Sequence, residues 1–361
     1  MLTDQMIANC IEEVREIAGI ELAVADSTGS IVAKTSSFTV QKQQDVMTFF
    51  ESDANELNLG GLIFIKIYDD NEAVYVLIST EGSGGFVSAR LAALQLKNLI
   101  AAYKSRVDRN SFFQNLLLDN LLVVDIYNRA RKLHLDAAQR RCVFVIEPTG
   151  RKENNLIEMV RELFYSEAGD FVTAVDEDRV VVIRALNDDE GAAELEETAE
   201  MLVDMAGSEA ASDVRVAYGT TAEDIKGVSR SYKEAKMALE VAKIFYPMRR
   251  TVEYGNLGVG RLIYQLPVAL CQLFIKEIFG DNIPGEIDEE TLATVNKFFD
   301  NSLNVSETSR QLFIHRNTLI YRIEKLQKAT GLDVRVFDDA LTLKIALMVV
   351  NYMKFRESLS D

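Results

Sequence analysis

The first 85 residues alternate between a helical and a strand-like spacing of apolar positions. Residues 1–19 carry apolar side chains at a helical period, which predicts an amphipathic helix that ends at Gly19. The run IELAVADSTGSIVAKT then predicts two strands joined by a turn at residues 26–29. A helix near residues 43–56 is followed by two more predicted strands, over residues 61–68 and 73–79. This order of elements predicts a small α/β domain.

Residues 86–121 repeat their apolar positions in alternating steps of four and three. This spacing makes one seam along a long helix, and such a seam can pair two chains. The sequence therefore predicts a homodimer or a higher homo-oligomer, with packing of the helix on its own domain as the alternative. Two polar residues, Asn110 and Gln114, interrupt the seam. Its positions are Ala89, Ala93, Leu96, Ile100, Tyr103, Val107, Asn110, Gln114, Leu117 and Leu121.

Helical and strand-like patterns alternate through residues 122–250, which predicts a mixed α/β domain with antiparallel elements. The predicted helices cover residues 125–133, 156–164, 193–206 and 225–245. The predicted strands cover residues 141–147, 171–175, 179–184 and 214–219, the middle two forming a hairpin. Residues 251–284 are predicted to be a connector that contains one helix, Val268–Phe279.

The last segment, residues 285–361, has no strand-like pattern and is predicted to be all-α. Its helices are expected at residues 289–299, 306–312, 316–330 and 339–355. The chain is therefore predicted to be a multidomain α+β protein. Its predicted parts are a small α/β domain (1–85), a long connecting helix (86–121), a mixed α/β domain (122–250), a connector (251–284) and a helical domain (285–361).

Charge limits the ways in which the chain can meet a nucleic acid. It has 39 basic and 56 acidic residues among 361, with a net charge of −17. A wholly basic coat is therefore excluded, and any nucleic-acid contact has to come from a local basic patch. The chain has no run of about 18 consecutive apolar residues, so no membrane span is predicted. The N-terminus lacks the features of a secretory signal. We expect a cytoplasmic protein with no membrane partner and three unpaired cysteines.

Signatures of catalysis are missing from the sequence. The chain contains no GxxxxGK[ST] loop for phosphates, and no HExxH or CxxC pattern for a metal. It has only two histidines, His134 and His315, so a Ser-His-Asp arrangement has few possible members. The sequence therefore predicts that the protein is not an enzyme and carries no cofactor and no metal.

The informative stretch is residues 304–331, NVSETSRQLFIHRNTLIYRIEKLQKATG. A short helix is expected to begin behind Ser306 as its N-cap, and a second helix to begin near Arg316 after a tight break. Leu319, Ile323 and Leu326 give the second helix an apolar face, and its other side is polar. Residues 303–328 contain five basic and two acidic residues. This pattern is typical of a helix-turn-helix, whose second helix enters the major groove of DNA.

The candidate DNA-binding residues follow from what a groove-reading helix requires. Arginine can pair with guanine and asparagine with adenine, and hydroxyl groups near the helix start can hold phosphates. The first-rank candidates are Arg316, Asn317, Thr318 and Arg322. The second-rank candidates are Ser306, His315, Tyr321 and Lys325. The expected partner is double-stranded operator DNA.

Two alternatives stay open on the pattern alone. The segment could be an amphipathic helical hairpin with a solvated basic face. The chain could instead be a signalling or interaction module that binds no DNA and docks a protein partner through its helical tail.

The sequence His315-Arg316-Asn317-Thr318-Leu319, followed by Tyr321-Arg322-Ile323, resembles the HRNTLxYRL signature of PucR/CdaR-type bacterial regulators. Residues 330–333, TGLD, and the final predicted helix also fit that family, and the match covers about residues 287–352. This resemblance implies a C-terminal PucR-type helix-turn-helix and a ligand-responsive transcriptional regulator of a catabolic operon. The implied regulator reads its operator with residues 316–330.

Upstream, residues 230–235 (RSYKEA) resemble the SYxEAxxAL helix of the same family's middle domain. The resemblance implies a central domain related in fold to GGDEF cyclases, but no GGDEF or GGEEF string is present, so cyclic dinucleotide synthesis is not implied. At the N-terminus, residues 25–33 resemble the DxxGxIxA hairpin of a sugar-diacid sensor, a hairpin also common in PAS and GAF modules. The implied sensor is PAS/GAF-like, and its effector is unknown, with a sugar diacid or related metabolite as one candidate.

Two residues depart from the usual helix-turn-helix pattern. Ser309 stands where alanine is usual, and it is small enough to keep the two helices close. Phe313 stands in the turn where glycine is common. A phenylalanine there is costly if the position requires positive φ.

Overall fold

The computed structural model describes residues 2–39, 43–69, 71–81, 85–149, 156–164, 169–176, 179–209, 213–280 and 289–358. The chain divides into two compact units, Met1–Phe113 and Gln114–Asp361. Unit 1 and unit 2 are described separately below. No helix within the described residues is both long enough and apolar enough to cross a membrane.

Unit 1 is built on a five-stranded antiparallel sheet with helices on both faces. The strand order is β2-β1-β5-β4-β3, and every neighbouring pair is antiparallel. The elements are α1 (Asp4–Ala18), β1 (Leu22–Asp26), β2 (Ile31–Lys34), α2 (Gln43–Glu51), β3 (Glu56–Leu59), β4 (Leu62–Asp69), β5 (Glu72–Thr80) and α3 (Gly85–Leu117).

Successive residues of the central strands point to opposite faces of the unit 1 sheet, and both faces are covered. Leu22 and Val24 pack with α1 and α3 on one face, while Ala23 and Ala25 pack with α2 on the other. Burial on both sides explains why the strands are continuously apolar rather than alternating. Gly19 caps α1 with φ of 63°, as predicted.

The predicted helix over residues 43–56 is wrong in its second half. The helix α2 ends at Glu51, and the chain then forms the edge strand β3. Gly60 and Gly61, with φ of 61° and 81°, form a two-residue hairpin turn between β3 and β4. Such a turn needs positive φ at both central residues, which glycine adopts without strain.

Within unit 1, the predicted pairing seam of α3 faces the unit's own sheet. Ala89 and Leu96 are buried, and Ile100 and Tyr103 are half-buried against the core formed with α1. This part of the seam therefore packs on its own domain, which was the alternative to the pairing of two chains. The helix ends at Leu117, so Leu121 lies beyond it. The expected homo-oligomer stays a prediction.

The first part of unit 2 is a second five-stranded sheet, in the order β10-β9-β6-β8-β7. β10 is parallel to β9, and the other pairs are antiparallel. The elements are α4 (Val123–Lys132), β6 (Arg140–Pro148), α5 (Leu156–Leu163), β7 (Phe171–Ala174), β8 (Val180–Leu186), α6 (Ala192–Glu209), β9 (Val214–Tyr218), α7 (Val228–Phe245) and β10 (Thr251–Glu253). Phe144, Val182 and Val216 pack with α5 and α6 in one core on this sheet.

The helix α7 lies unusually close to the sheet because of Gly219 and Ser231. The Ser231 hydroxyl accepts a hydrogen bond from the Val143 N–H (3.1 Å), and Gly219 N–H donates to Val143 O (3.1 Å). Glu234 accepts hydrogen bonds from the Thr220 backbone N–H (2.8 Å) and hydroxyl (2.6 Å). The serine and glutamate of the SYKEA run therefore satisfy backbone groups where the β6–β9 ladder ends.

The segment predicted as a connector with one helix is more structured than expected. Its first residues form β10, which extends the sheet, and two helices follow, α8 (Val259–Tyr264) and α9 (Val268–Phe279). Sequence reasoning missed β10 because a three-residue strand is too short to show a period. The segment thus contributes to the cores of unit 2.

The C-terminal part, residues 289–358, consists of helices joined by short turns. It contains α10 (Glu289–Asp300), α11 (Val305–Gln311), α12 (Arg316–Thr330) and α13 (Phe337–Ser358). Phe298, Leu319, Ile323 and Leu343 are buried in their common core. The far end of α13 packs on α8 and α9 through Tyr352 and Met353. The three cysteines are unpaired and buried, as expected.

Candidate nucleic-acid interface

The N-cap of the short helix α11 lies two residues before the predicted cap. Asn304, and not Ser306, is the N-cap, because its side-chain oxygen accepts a hydrogen bond from the Glu307 N–H (3.0 Å). Ser306 is exposed in the first turn of α11. Ser309 is buried, and its hydroxyl donates a hydrogen bond to Val305 O within the same helix (2.8 Å).

The turn between α11 and α12 places Phe313 in the left-handed region, with φ of 56°. Its backbone N–H donates to Arg310 O (3.3 Å), and the next N–H donates to Ser309 O (3.1 Å). The ring is 95% exposed, so packing within the domain does not compensate for the strained backbone. The sequence analysis expected a phenylalanine at this position to be costly if its φ is positive, and its φ is positive.

Replacing Phe313 by glycine is expected to stabilise the chain by about 1 kcal/mol. Removing the positive-φ strain gains about 1–3 kcal/mol, and the extra freedom of glycine in the unfolded chain offsets about 0.5–1 kcal/mol of it. Urea unfolding of the full chain measures the change. Phe313→Ala is the matched control, since it removes the ring and keeps the strain; equal stability of both variants would contradict the explanation.

The start of α12 is capped by His315. Its Nδ1 accepts a hydrogen bond from the Asn317 N–H (3.3 Å), so the ring lies at the helix N-terminus and is exposed. Leu319, Ile323 and Leu326 are buried, as predicted, and fix which side of α12 faces solvent. The helix ends at Gly331, which has φ of 76°.

Most of the candidate residues lie on the solvent side of these two helices. Arg316, Asn317 and Thr318 occupy the first turn of α12, and their side chains make no hydrogen bond or ion pair with any residue in the described parts of the chain. That turn contains no acidic residue. The exposed candidates are Ser306, His315, Arg316, Asn317, Thr318, Tyr321 and Lys325.

Arg322 is the exception among the candidates. Its guanidinium forms an ion pair with Glu290 and donates a hydrogen bond from Nη1 to Thr294 Oγ1 (2.9 Å). Only 20% of its side chain is exposed. The residue connects α12 to α10 rather than presenting its charge to solvent. Sequence reasoning missed Glu290 and Thr294 as its partners, because they precede it by 32 and 28 residues.

Ion pairs reduce the basic patch that the sequence predicted. Arg310 is paired with Glu307 (2.6 Å), and this hydrogen bond from Arg310 lowers the pKa of Glu307. With Arg310 and Arg322 both paired, Arg316 is the arginine between residues 303 and 328 whose guanidinium has no partner among the described residues. Its charge adds to the partial positive charge of the α12 N-terminus. The site can therefore bind an anionic, hydrogen-bonding surface.

Two family models match the chain. The model of the GGDEF-like domain matches residues 120–241. The model of the PucR C-terminal helix-turn-helix domain matches residues 291–349, which include α11, the turn and α12. The central and C-terminal parts of the fold expected from the sequence are thus confirmed, while the N-terminal domain is matched by neither model.

Several curated proteins are similar to this chain. It is 31% identical over 152 residues to the carbohydrate diacid regulator of Escherichia coli (strain K12), covering 37% of this chain and 35% of that protein. It is 26% identical over 121 residues to the purine catabolism regulatory protein of Bacillus subtilis (strain 168), covering 33% and 23%. It is 20% identical over 312 residues to the DNA-binding transcriptional activator AdeR of that strain, covering 80% and 73%. The chain thus spans about a third of the first relative's length and a quarter of the second's.

The chain thus combines a GGDEF-like domain with a C-terminal helix-turn-helix domain of the PucR kind. The chain is similar to PucR/CdaR-type regulators.

Proposed function

We propose that the chain is a ligand-responsive transcriptional regulator that binds the operator of a catabolic operon and reads it with α12. The observation that carries the proposal is the first turn of α12, where Arg316, Asn317 and Thr318 are exposed and unpartnered among the described residues. A rigid helix that presents these groups at its N-terminus has the form of a major-groove reader. The names of the carbohydrate and purine regulators support a catabolic target.

The side chains divide into two roles in this proposal. Arg316 and Asn317 contact base edges, since guanine and adenine offer them paired hydrogen-bonding atoms. Ser306, His315, Thr318, Tyr321 and Lys325 contact phosphates and set the register of the helix on the duplex. Arg322 is a positioning residue, because its ion pair with Glu290 holds α12 against α10.

The other domains supply sensing and assembly in this proposal. Unit 1 is a sensor of the PAS or GAF kind, supported by its five-stranded antiparallel sheet with helices on both faces. The effector is a small molecule, and the acting form is a homodimer that matches a palindromic operator. Operator binding implies a cytoplasmic protein.

We further propose that the GGDEF-like domain has no catalytic role. At its β7–β8 hairpin, Arg179 donates hydrogen bonds to Glu147 (2.9 Å) and to Glu240 (2.7 Å), and Lys243 also pairs with Glu147 (2.8 Å). These partly buried ion pairs join the hairpin to β6 and α7. They support a structural role for this edge of the sheet.

The test of DNA binding is selection from a random pool of duplexes with the purified full chain, followed by titration of the selected duplex at several salt concentrations. We expect a recurrent sequence and a logarithmic salt slope of about −0.9 per neutralised phosphate. A pool with no enriched sequence would contradict the proposal. Weak binding with a shallow salt slope would favour the alternative, a helical tail that docks a protein.

A further inference from the structure

Unit 1 contains a cavity of about 570 Å³ at one end of its sheet, here called the end cavity. It lies where β1 ends and where the β4–β5 hairpin turns, and α3 closes its side. Its volume falls in the range of about 300–1,000 Å³ that is usual for small-molecule sites. The regulatory role proposed above assigns no residues to a ligand, and the end cavity is one place in unit 1 with room for a ligand.

Three carboxylates and one ammonium group line the end cavity: Asp26, Asp69, Glu72 and Lys104. Lys104 Nζ lies 3.0 Å from Asp69 Oδ1, so these two charges balance each other. Asp26 and Glu72 then leave the cavity with an excess of negative charge. An anionic ligand would meet repulsion there, whereas a cation would be attracted.

Hydrogen bonds hold one carboxylate oxygen of Asp26 in place and leave the other oxygen without a partner among the described residues. Its Oδ1 accepts hydrogen bonds from the Thr28 N–H (2.8 Å), the Thr28 hydroxyl (2.6 Å) and the Ser30 N–H (3.0 Å). Burial opposes its ionisation, but these hydrogen bonds outweigh burial and lower the pKa of Asp26, which keeps it charged. Its Oδ2 has no hydrogen-bond partner within the described residues and is available to a ligand.

Tyr75 is the second sign of a ligand site. It lies in β5 beside Asp26, is only 8% exposed and lines the end cavity. No described residue hydrogen-bonds to its hydroxyl, and the hydroxyl oxygen is open to the cavity rather than sealed in the core, so a ligand can reach it. Burial and the nearby carboxylates of Asp4 and Asp26 raise the pKa of Tyr75, so it remains a neutral phenol that can donate or accept.

The side of the end cavity formed by α3 is partly apolar. Ile100, Tyr103 and Val107 line it together with Lys104, at the spacing of one helix face. This face suits the hydrocarbon part of a ligand. The same helix continues to Leu117, past the end of unit 1, so a ligand here would contact the helix that leaves the unit.

We propose that the end cavity binds a small organic cation, an amine with a hydrogen-bonding group and a short hydrocarbon part. The amine pairs with the carboxylates of Asp26 and Glu72, the polar group meets the Tyr75 hydroxyl, and the hydrocarbon packs on α3. The ligand class thus differs from the sugar diacid that the family resemblance offered as a candidate, because a diacid would bring two more negative charges to this cavity.

The test uses matched probes of opposite charge on the full chain without DNA. Pentylamine and aminopentanol are compared with pentanoate, hydroxypentanoate and galactarate by ligand-observed NMR titration at fixed ionic strength and neutral pH. We expect saturable binding of both amines, tighter for aminopentanol, and no saturable binding of the acids. Saturable binding of an acid without the amines, or of no probe at all, would overturn the proposal.

Variants locate the binding within the chain. Tyr75→Phe and Glu72→Gln are each expected to weaken aminopentanol binding about tenfold, the loss for a hydrogen bond or ion pair worth about 1.4 kcal/mol. Tyr68→Phe and Glu51→Gln are the matched controls, since both residues belong to unit 1 and neither lines the end cavity. Amine binding that all four variants leave unchanged would refute the site.

The inference rests on the sensing role in the proposed function, but the two fail separately. A chain that binds amines and selects no DNA would contradict the proposed regulator and leave the end cavity as a binding site. A chain that selects DNA and binds none of the amines would contradict only the ligand class.

Discussion

Replacing both Arg316 and Asn317 by alanine is expected to lower operator affinity at least about 100-fold, because each paired contact to a base is worth about 1–3 kcal/mol. The double variant then binds operator and random duplexes equally. The single variants are each expected to lose about 10-fold or more, with relaxed preference at one base position. Fluorescence anisotropy with the selected duplex at fixed salt measures these losses.

The fold should survive these substitutions, which makes the binding result interpretable. Both side chains are exposed and have no partner among the described residues, so their removal costs little stability. Lys354→Ala is the matched control, since it removes the same charge as Arg316→Ala from an exposed site beside Tyr352 and Met353, which pack on α8 and α9. Unchanged operator affinity in the double variant would contradict the proposal that α12 contacts the operator bases.

The elements that sequence reasoning predicted best are those in which one local pattern decides the structure. In α12 the buried positions Leu319, Ile323 and Leu326 and the cap at Gly331 all follow from spacing and residue type. The β4 and β5 strands follow likewise from long apolar runs. The edge strand β3 was missed because its residues are mostly exposed and carry no apolar period. The Gly60-Gly61 pair was the available signal of its hairpin.

Properties that depend on distant parts of the chain escaped prediction. Arg322 and Arg316 are equivalent in the sequence pattern, but among the described residues only Arg322 of these two meets a carboxylate, from α10. The end cavity is lined by Asp26, Tyr75 and residues of α3, and the local sequence of no single element predicts it. Sequence periodicity assigns faces to helices and strands, whereas charge pairing and cavities require the packing between them.

Replacing Gly219 by alanine is expected to destabilise the GGDEF-like domain by about 3 kcal/mol or more. A Cβ at this position would lie 2.1 Å from Ser231 O and 2.7 Å from Ser231 C, both backbone atoms of α7. No side-chain rotation relieves this clash, so α7 must move away from the sheet. That shift breaks the Ser231–Val143 hydrogen bond and leaves a buried N–H unpaired.

Gly191→Ala separates this clash from the general effect of replacing a glycine. Its added Cβ would have only Glu194 Oε2 nearby, at 3.8 Å, which is an ordinary contact. We expect little change in stability for Gly191→Ala, and for Gly219→Ala a large drop in the urea midpoint or loss of folded chain. Equal midpoints would mean that α7 can move away from the sheet without a loss of stability. The explanation that Ser231 and Glu234 stabilise the domain by pairing with backbone groups at the end of the β6–β9 ladder would then be wrong.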